Sequence, residues 1–319
     1  MKLTRKGEKV SGSYYYQKIG TRIDLKGTID KDSNITLEEY DATGKQTGIF
    51  KGVWSTDGDG LIGIAGNWTP PNGDKKTVFS IHQEPINFSS GAEITSKSIK
   101  ETNKKLKYEI NAEYPVVGGV PDGRFDKFNQ EARNLVAGRV AEFRKQMVEQ
   151  SKEKSATDVE TETTGSDLGV GYEVRLATDD LISVKFDIGS YYQGAAHPNS
   201  YTNVLNYDVK AAKVIKLADL FKPGAKYLQA MSSHAVRHLK KQAQAKGADS
   251  MLDDEWIGRG AGPDIMNYQS WTITRKGLGI NFDSYQVAPY AAGPQYVLIP
   301  YSALKDLINP DGLVGQLVK

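Results

Sequence analysis

Between Asp122 and about Gln150, the side chains Phe125, Phe128, Ala132, Leu135, Val136, Val140, Phe143 and Met147 recur every three or four residues. That spacing lays one apolar stripe along one long helix, and such a stripe belongs in a core. Elsewhere the period is two. Ile23, Leu25, Gly27 and Ile29 alternate with polar residues ahead of the helix, and Leu106, Tyr108, Ile110 and Ala112 do so just before it. A long amphipathic helix set among alternating strands restricts the fold to layers of helix on sheet.

Residues 11 to about 84 read as consecutive short strands. Asp41–Gly44, Asp57–Gly60 and Pro70–Gly73 supply the turn chemistry between them. Gly48-Ile-Phe-Lys-Gly-Val-Trp54 is echoed by Gly63-Ile-Ala-Gly-Asn-Trp68, small residues ending in Trp, as where strands bend closely over an aromatic layer. The polar run from 85 to 103 reads as a connection, and residues 151 to about 167 as an exposed loop with a mobile tip.

Beyond that loop come a hairpin around Thr178-Asp-Asp, a strand over Thr202–Asp208 and a helix from about Gly224 to Ala245. Paired strands at Trp271 and Gly279, a strand at Tyr296–Pro300 and a closing helix from Tyr301 to Ile308 follow. The expected class is α+β. A β-rich domain over 1–90, an antiparallel meander or small open barrel, precedes a domain over 91–319 with helices packed on an antiparallel sheet.

Composition narrows the chemistry. With no cysteine in 319 residues, there is no disulfide, thiol nucleophile or Cys-ligated metal. A net charge of +2 gives no general attraction to nucleic acid. No apolar run has the length of a membrane-spanning helix. The basic segment Met1–Lys9 lacks the apolar core of an export signal.

Three constellations stand out. His234 and His238, at i and i+4 on a helix, share a face and, with His197, form an alternative metal trio. A zinc-protease motif would place Glu where Ala235 stands, so the expectation is no metal and no cofactor. Gly194-Ala-Ala-His-Pro-Asn199 puts His197 and Asn199 on a Gly-rich bend, with Ser190 and Ser200 nearby but no nucleophile elbow. Tyr285, Tyr290 and Tyr296, with Tyr191, Tyr192 and Tyr201, give rigid rings with polar tips of the kind used in recognition. Asp253-Asp-Glu255 is a short acidic loop.

From about Ile94 to Ile308 the chain resembles the DUF4163/DUF3298 module pair of bacterial envelope proteins. The matching residues are Tyr114-Pro115 ahead of Phe125, Phe128 and Asn129; Gly194–Asn199; Asn206-Tyr-Asp208; Leu217-Ala-Asp-Leu-Phe221; Phe282–Gly293; and Ile299-Pro-Tyr301. Members similar to this include the receptor domain of a lysozyme-sensing anti-sigma factor and accessory domains of peptidoglycan deacetylases, whose reaction belongs to a separate catalytic domain. The resemblance implies a periplasmic, secreted or surface-anchored protein whose export signal lies outside this sequence. It implies recognition of a protein, such as a lysozyme-like hydrolase, or of a cell-wall glycan, with no nucleic acid. The expected binding residues are His197, Asn199, Tyr191, Tyr192, Tyr285, Tyr290 and Tyr296. The competing expectation is a hydrolase, using the three histidines on a metal or a Ser with His197.

Overall fold

The computed structural model describes residues 1–15, 20–56, 61–73, 75–83, 85–153, 165–247 and 250–318. The Asp57–Gly60 turn and most of the 151–167 loop lie outside them. The chain divides into two compact units, Met1–Glu84 and Pro85–Lys319.

In the first unit β1 (Lys2–Lys6), β2 (Lys9–Tyr15), β3 (Arg22–Ile29), β4 (Asn34–Tyr40), β5 (Gln46–Thr56), β6 (Ile62–Thr69) and β7 (Thr77–His82) pair in chain order. This antiparallel meander curls into a half-barrel, as expected from its alternation. Val10, Leu25, Ile29, Ile35, Leu37, Phe50 and Ile64 form its core. The two Trp-ending segments are the neighbours β5 and β6. A Cβ on Gly48 would come within 2.2 Å of the Trp68 indole, so the strands' small residues make room for that ring. Strand β1 escapes the sequence reading because an edge strand of Lys, Thr and Arg shows no apolar alternation.

The second unit runs β8 (Ile86–Asn87), β9 (Glu93–Asn103), β10 (Tyr108–Gly118), α1 (Asp126–Glu153), β11 (Ser166–Thr178), β12 (Leu181–Tyr191), β13 (Asn199–Asp208) and β14 (Lys213–Val214). It continues through α2 (Tyr227–Lys246), α3 (Asp254–Gly260), β15 (Trp271–Ile273), β16 (Gly277–Phe282), β17 (Gln295–Pro300) and α4 (Tyr301–Leu304). A large sheet has the order β14-β13-β12-β11-β10-β9, and a smaller one the order β15-β16-β17. The α+β class holds.

Three details differ from expectation. The 85–103 connection is largely strand: β9 pairs with β10 along its full length, and its mostly exposed side chains hid it. Asp179 fastens the segment ahead of β9 by accepting from the backbone N–H groups of Ser89 and Ser90, at 2.7 and 3.1 Å. With the Ser89 hydroxyl, these bonds hold its carboxyl down at about 2. The large sheet is not wholly antiparallel, because α1 crosses between the parallel strands β10 and β11. The closing helix is one turn, Tyr301–Leu304.

Phe125, just ahead of α1, and Phe128, Ala132, Val136, Val140, Phe143 and Met147 on the helix are buried in one core with Val170, Val184, Phe186, Ile188 and Tyr207. Each large side chain so buried contributes roughly 1.5–3 kcal/mol of transfer free energy. Asn129 clamps the helix to β10, donating to the Val117 carbonyl and accepting from its N–H, both at 2.8 Å. Met231, Ala235 and Leu239 of α2 pack with Ile273, Leu278, Ile280, Phe282, Val297 and Ile299 of the small sheet in a separate core.

A buried polar bridge joins the two sheets. The Ser183 hydroxyl donates to the Asn206 side-chain oxygen at 2.6 Å, and the Asn206 amide donates to the Trp271 carbonyl at 2.8 Å. The Ile273 N–H donates back to the Ser183 oxygen at 2.9 Å. Ser183 is 0% and Asn206 2% exposed, so a broken bond leaves its partner without water. Asn206→Ala is expected to lower stability by about 3 kcal/mol through the orphaned partners and the cavity. Asn206→Asp, which turns an acceptor toward the Trp271 carbonyl, costs more. Urea denaturation of both variants measures the difference.

Candidate functional site

The tip between β12 and β13 (residues 192–198) meets the connection between β16 and β17 (residues 283–294). Gly194, at φ +93°, lets the first tip turn, and Ala195 N–H closes it on the Tyr192 carbonyl at 2.9 Å. In the second segment, Pro289 precedes the 3-10 turn Tyr290–Ala292, which Gly293 ends with φ +67°.

Where the segments meet, the rings of His197, Tyr285 and Tyr290 cluster. His197 stacks on Tyr290 with centroids 4.1 Å apart and planes 27° off parallel, and Tyr285 lies 5.5 Å from Tyr290. A carbonyl only accepts, so the 2.8 Å contact between His197 Nδ1 and the Pro198 oxygen places the ring proton on Nδ1. Nε2 then accepts from the Tyr285 hydroxyl at 3.5 Å. The Tyr290 hydroxyl donates to the same Pro198 oxygen at 2.8 Å. Tyr285 is 53% exposed and has φ +70°, a left-handed conformation costly for a bulky residue, which its surroundings must impose. The result is a rigid, exposed aromatic rim whose polar atoms largely bond one another.

The other expected residues go elsewhere. Asn199 is exposed at the start of β13, opposite Ser190, and Tyr191 is half-buried opposite Asp167. Tyr192 turns toward α1, packing 5.4 Å from Phe143 and bonding Gln146. Tyr296, on β17, lies under the Arg175 guanidinium at 5.4 Å and accepts from it at 3.0 Å. Ser190 is buried and bonds the Tyr192 hydroxyl, while both His197 nitrogens face other partners.

The alternative metal trio is not assembled. Among the described residues no three His, Asp or Glu side chains are grouped to hold a metal ion. His234 and His238 lie side by side on α2, ring centroids 6.4 Å apart, and His238 Nε2 accepts from the Gln242 amide at 3.1 Å. Asp253-Asp-Glu255 is also not a free acidic loop. Asp253 caps α3, accepting from the Glu255 and Trp256 N–H groups, and Asp254 pairs with Lys240 at 2.8 Å.

Sequence reasoning missed a polar cleft of about 430 Å³. It forms where α1, β13, the 3-10 turn Ile265–Tyr268 and the 283–286 turn meet. Asp283, next but one to Tyr285, accepts from the Thr202 N–H at 3.0 Å, tying the turn to β13. Burial raises its carboxyl above the usual range; hydrogen bonds from Thr202 oppose the rise and the charge of Asp187 adds to it. Gln286 donates to the Gly260 and Asn267 carbonyls, both at 3.0 Å, fixing the turn's other side. Asp283 lies inside a motif singled out from the sequence, but Arg139 and Asn203 sit in α1 and β13 with no local signal.

Residues 218–302 match DUF3298, a protein family of unknown function, and residues 99–200 match deacetylase PdaC. The chain is 26% identical over 249 residues to the peptidoglycan-N-acetylmuramic acid deacetylase PdaC of Bacillus subtilis, covering 78% of this chain and 48% of the relative. It is 27% identical over 115 residues to the immunogenic protein MPT64 of Mycobacterium tuberculosis, covering 36% of this chain and 47% of that one. The chain thus spans about half the length of these curated relatives. A crystal structure of a DUF3298 member from Bacteroides fragilis, 20% identical, shares the fold at a TM-score of 0.50 over 72% of this chain and 98% of that one. These matches support a DUF3298 domain and a PdaC deacetylase-related domain, a combination that fits a cell-wall-associated protein. Among the described residues no helix is long and apolar enough to cross a membrane.

The histidine pair carries a pH prediction. Burial lowers the His234 imidazole below its ordinary value; His238 and Arg237 push the same way, while a backbone bond with Leu298 opposes them. The unfolded chain therefore binds a proton at His234 more readily than the folded one, and stability falls as pH drops below about 6.5. The melting temperature is expected to fall on acidification from about pH 7.5 to about pH 5, and to fall less in His234→Gln. Thermal melts across that range check the sign.

Proposed function

We propose that this chain is a non-enzymatic binding module of the bacterial cell envelope, acting in the periplasm, in secreted form or at the surface. Its aromatic rim takes a cell-wall glycan or a lysozyme-like hydrolase. The observation that carries this reading is the His197–Tyr285–Tyr290 cluster, in which the Pro198 carbonyl fixes the His197 and half-buried Tyr290 rings and His197 and Tyr285 are presented to solvent. Rigid rings lose little side-chain entropy on binding, so most of their contact free energy reaches the complex. The rim's polar atoms bond one another and Pro198, leaving its π-faces as the main contact surface.

Two further lines support the reading. The DUF3298 and PdaC matches lie on the unit that carries the rim, and the PdaC relative is named for a peptidoglycan substrate. The finer relation, a DUF4163/DUF3298 pair like the receptor of lysozyme-sensing anti-sigma factors, makes a basic lysozyme the protein ligand to try first. Attraction of such a ligand by Asp253–Glu255 is not part of the proposal, because Asp253 and Asp254 are already engaged.

The test is co-sedimentation with insoluble peptidoglycan and calorimetry with a C-type lysozyme. One of the two is expected to bind, and Tyr290→Ala or His197→Ala to weaken capture about tenfold or more without lowering the melting temperature appreciably. Failure of both ligands to bind, or variants that bind as well as the parent, would overturn it.

A further inference from the structure

The cleft beside the rim has a chemistry of its own. Its hydrogen-bonding wall is mostly uncharged: Thr202, Asn203, Asn267, Gln269, Ser270 and Gln286. Arg139 and Asp283 complete it, and both are already engaged by neighbours. Arg139 Nη1 is 2.9 Å from Glu142, and its guanidinium lies over the Tyr201 ring at 5.7 Å. With the Asn203 amide turned so that its oxygen faces Arg139, that oxygen accepts from Nε and Nη2, both at 3.1 Å. An anion entering the cleft meets a guanidinium already spent on three partners. A cation meets a carboxyl bonded to Thr202 and half-buried, where burial disfavours its charge. The cleft therefore selects a neutral guest.

Its remaining groups say what kind of neutral guest. The Gln286 and Asn267 amide nitrogens are spent on backbone carbonyls, and the Ser270 and Thr202 hydroxyls on Thr202 and Asp283. The groups left to meet a guest are the Asn203 amide nitrogen, the Gln269 side-chain amide and the outer lone pairs of Asp283, a donor-and-acceptor set that matches hydroxyl and amide groups. The apolar lining is Leu135, Val204 and the exposed thioether of Met266, enough to cover one face of a saturated ring. No aromatic ring lines the cleft among the described residues, so a flat heterocycle gains no stacking partner. Gln269 donates its amide to the Met266 sulfur at 3.0 Å, a weak acceptor that an oxygen displaces readily. At about 430 Å³ the cleft is at the small end of ligand sites, the size of a single sugar unit or little more.

We propose that this cleft binds one unit of a neutral, hydroxyl- and acetamido-bearing sugar, with Asp283, Asn203 and Gln269 as its hydrogen-bonding residues. The cleft holds its sugar whether or not the rim captures a larger ligand, because the two use different side chains.

The experiment titrates the full chain with N-acetylglucosamine, glucose and inorganic phosphate, following the side-chain amide signals of Asn203 and Gln269 by NMR. N-acetylglucosamine is expected to shift both signals saturably, glucose to do so more weakly and phosphate not at all. Gln269→Ala, at an exposed position, and Asp283→Asn, which keeps an acceptor for the Thr202 N–H, are each expected to weaken the sugar about tenfold. Three results would overturn the assignment: no shift up to the solubility limit of N-acetylglucosamine, a shift with phosphate alone, or full affinity in Gln269→Ala. Peptidoglycan carries acetamido sugars, so co-sedimentation reads rim and cleft together. Tyr290→Ala and His197→Ala remove the rim alone and Gln269→Ala the cleft alone, and the sugar titration reads only the cleft, so failure of one does not imply failure of the other.

Discussion

The second unit depends on a bridge of three hydrogen bonds among Ser183, Asn206 and the backbone of Trp271 and Ile273. Apolar contacts hold the small sheet near the large one but do not fix where along it the small sheet sits. Hydrogen bonds away from water do, because a slip of one residue would strand several donors and acceptors at once. The bridge sets β15 across β12 and β13, and that placement carries the 283–294 connection to the β12–β13 tip. Thr202 to Asp283 and Ser270 to Thr202 extend the same registration outward, each at 3.0 Å. The rim is the outer end of an ordered polar line that starts in the interior.

Seen this way, the motif residues behind the family resemblance divide in two. Asn129, Asn206, Asp208 and Asp219 are structural clamps: on β10, on the small sheet, on the turn after β13 and, at the surface, on the start of the 3-10 turn Leu217–Leu220. Their chemistry is accounted for by the backbone groups they satisfy. His197 and Tyr285 stand in solvent and Tyr290 is half-buried beside them, and the three bond one another and Pro198 rather than the interior. One of them is held at φ +70°, a conformation that stability alone does not favour. Residues that clamp one element to another explain the fold; those that bond only within the rim are where function is to be sought.

How far the sequence could be read follows from which forces leave local patterns. Burial leaves a period, so the α1 stripe and the alternation of β3 and β10 were legible. Pairing leaves none, so the parallel match of β10 to β11 across α1 and the polar edge strands β1 and β9 were not. Residue type also says nothing of direction. Six tyrosines looked alike as recognition candidates, yet Tyr192 faces α1 and Tyr296 lies against Arg175, while only Tyr285 and Tyr290 ring His197. Asp253 read as a free charge and is a helix cap. The cleft was least legible, since its walls come from α1, β13 and two turns separated by more than a hundred residues.

Rim and cleft share a frame. The 283–286 turn gives Tyr285 to one and Asp283 and Gln286 to the other, and is tied on opposite sides to Thr202, Gly260 and Asn267. A turn fixed on both sides presents each set of side chains without having to move for either ligand. A flexible loop would pay conformational entropy each time it closed on a guest. Here that cost is met on folding, by bonds whose partners lie in the interior, so the surface is already shaped when a ligand arrives. The polar bridge between the sheets is therefore part of the recognition surface in an energetic sense. Loosening it would leave every rim side chain in place chemically and still blunt the rim.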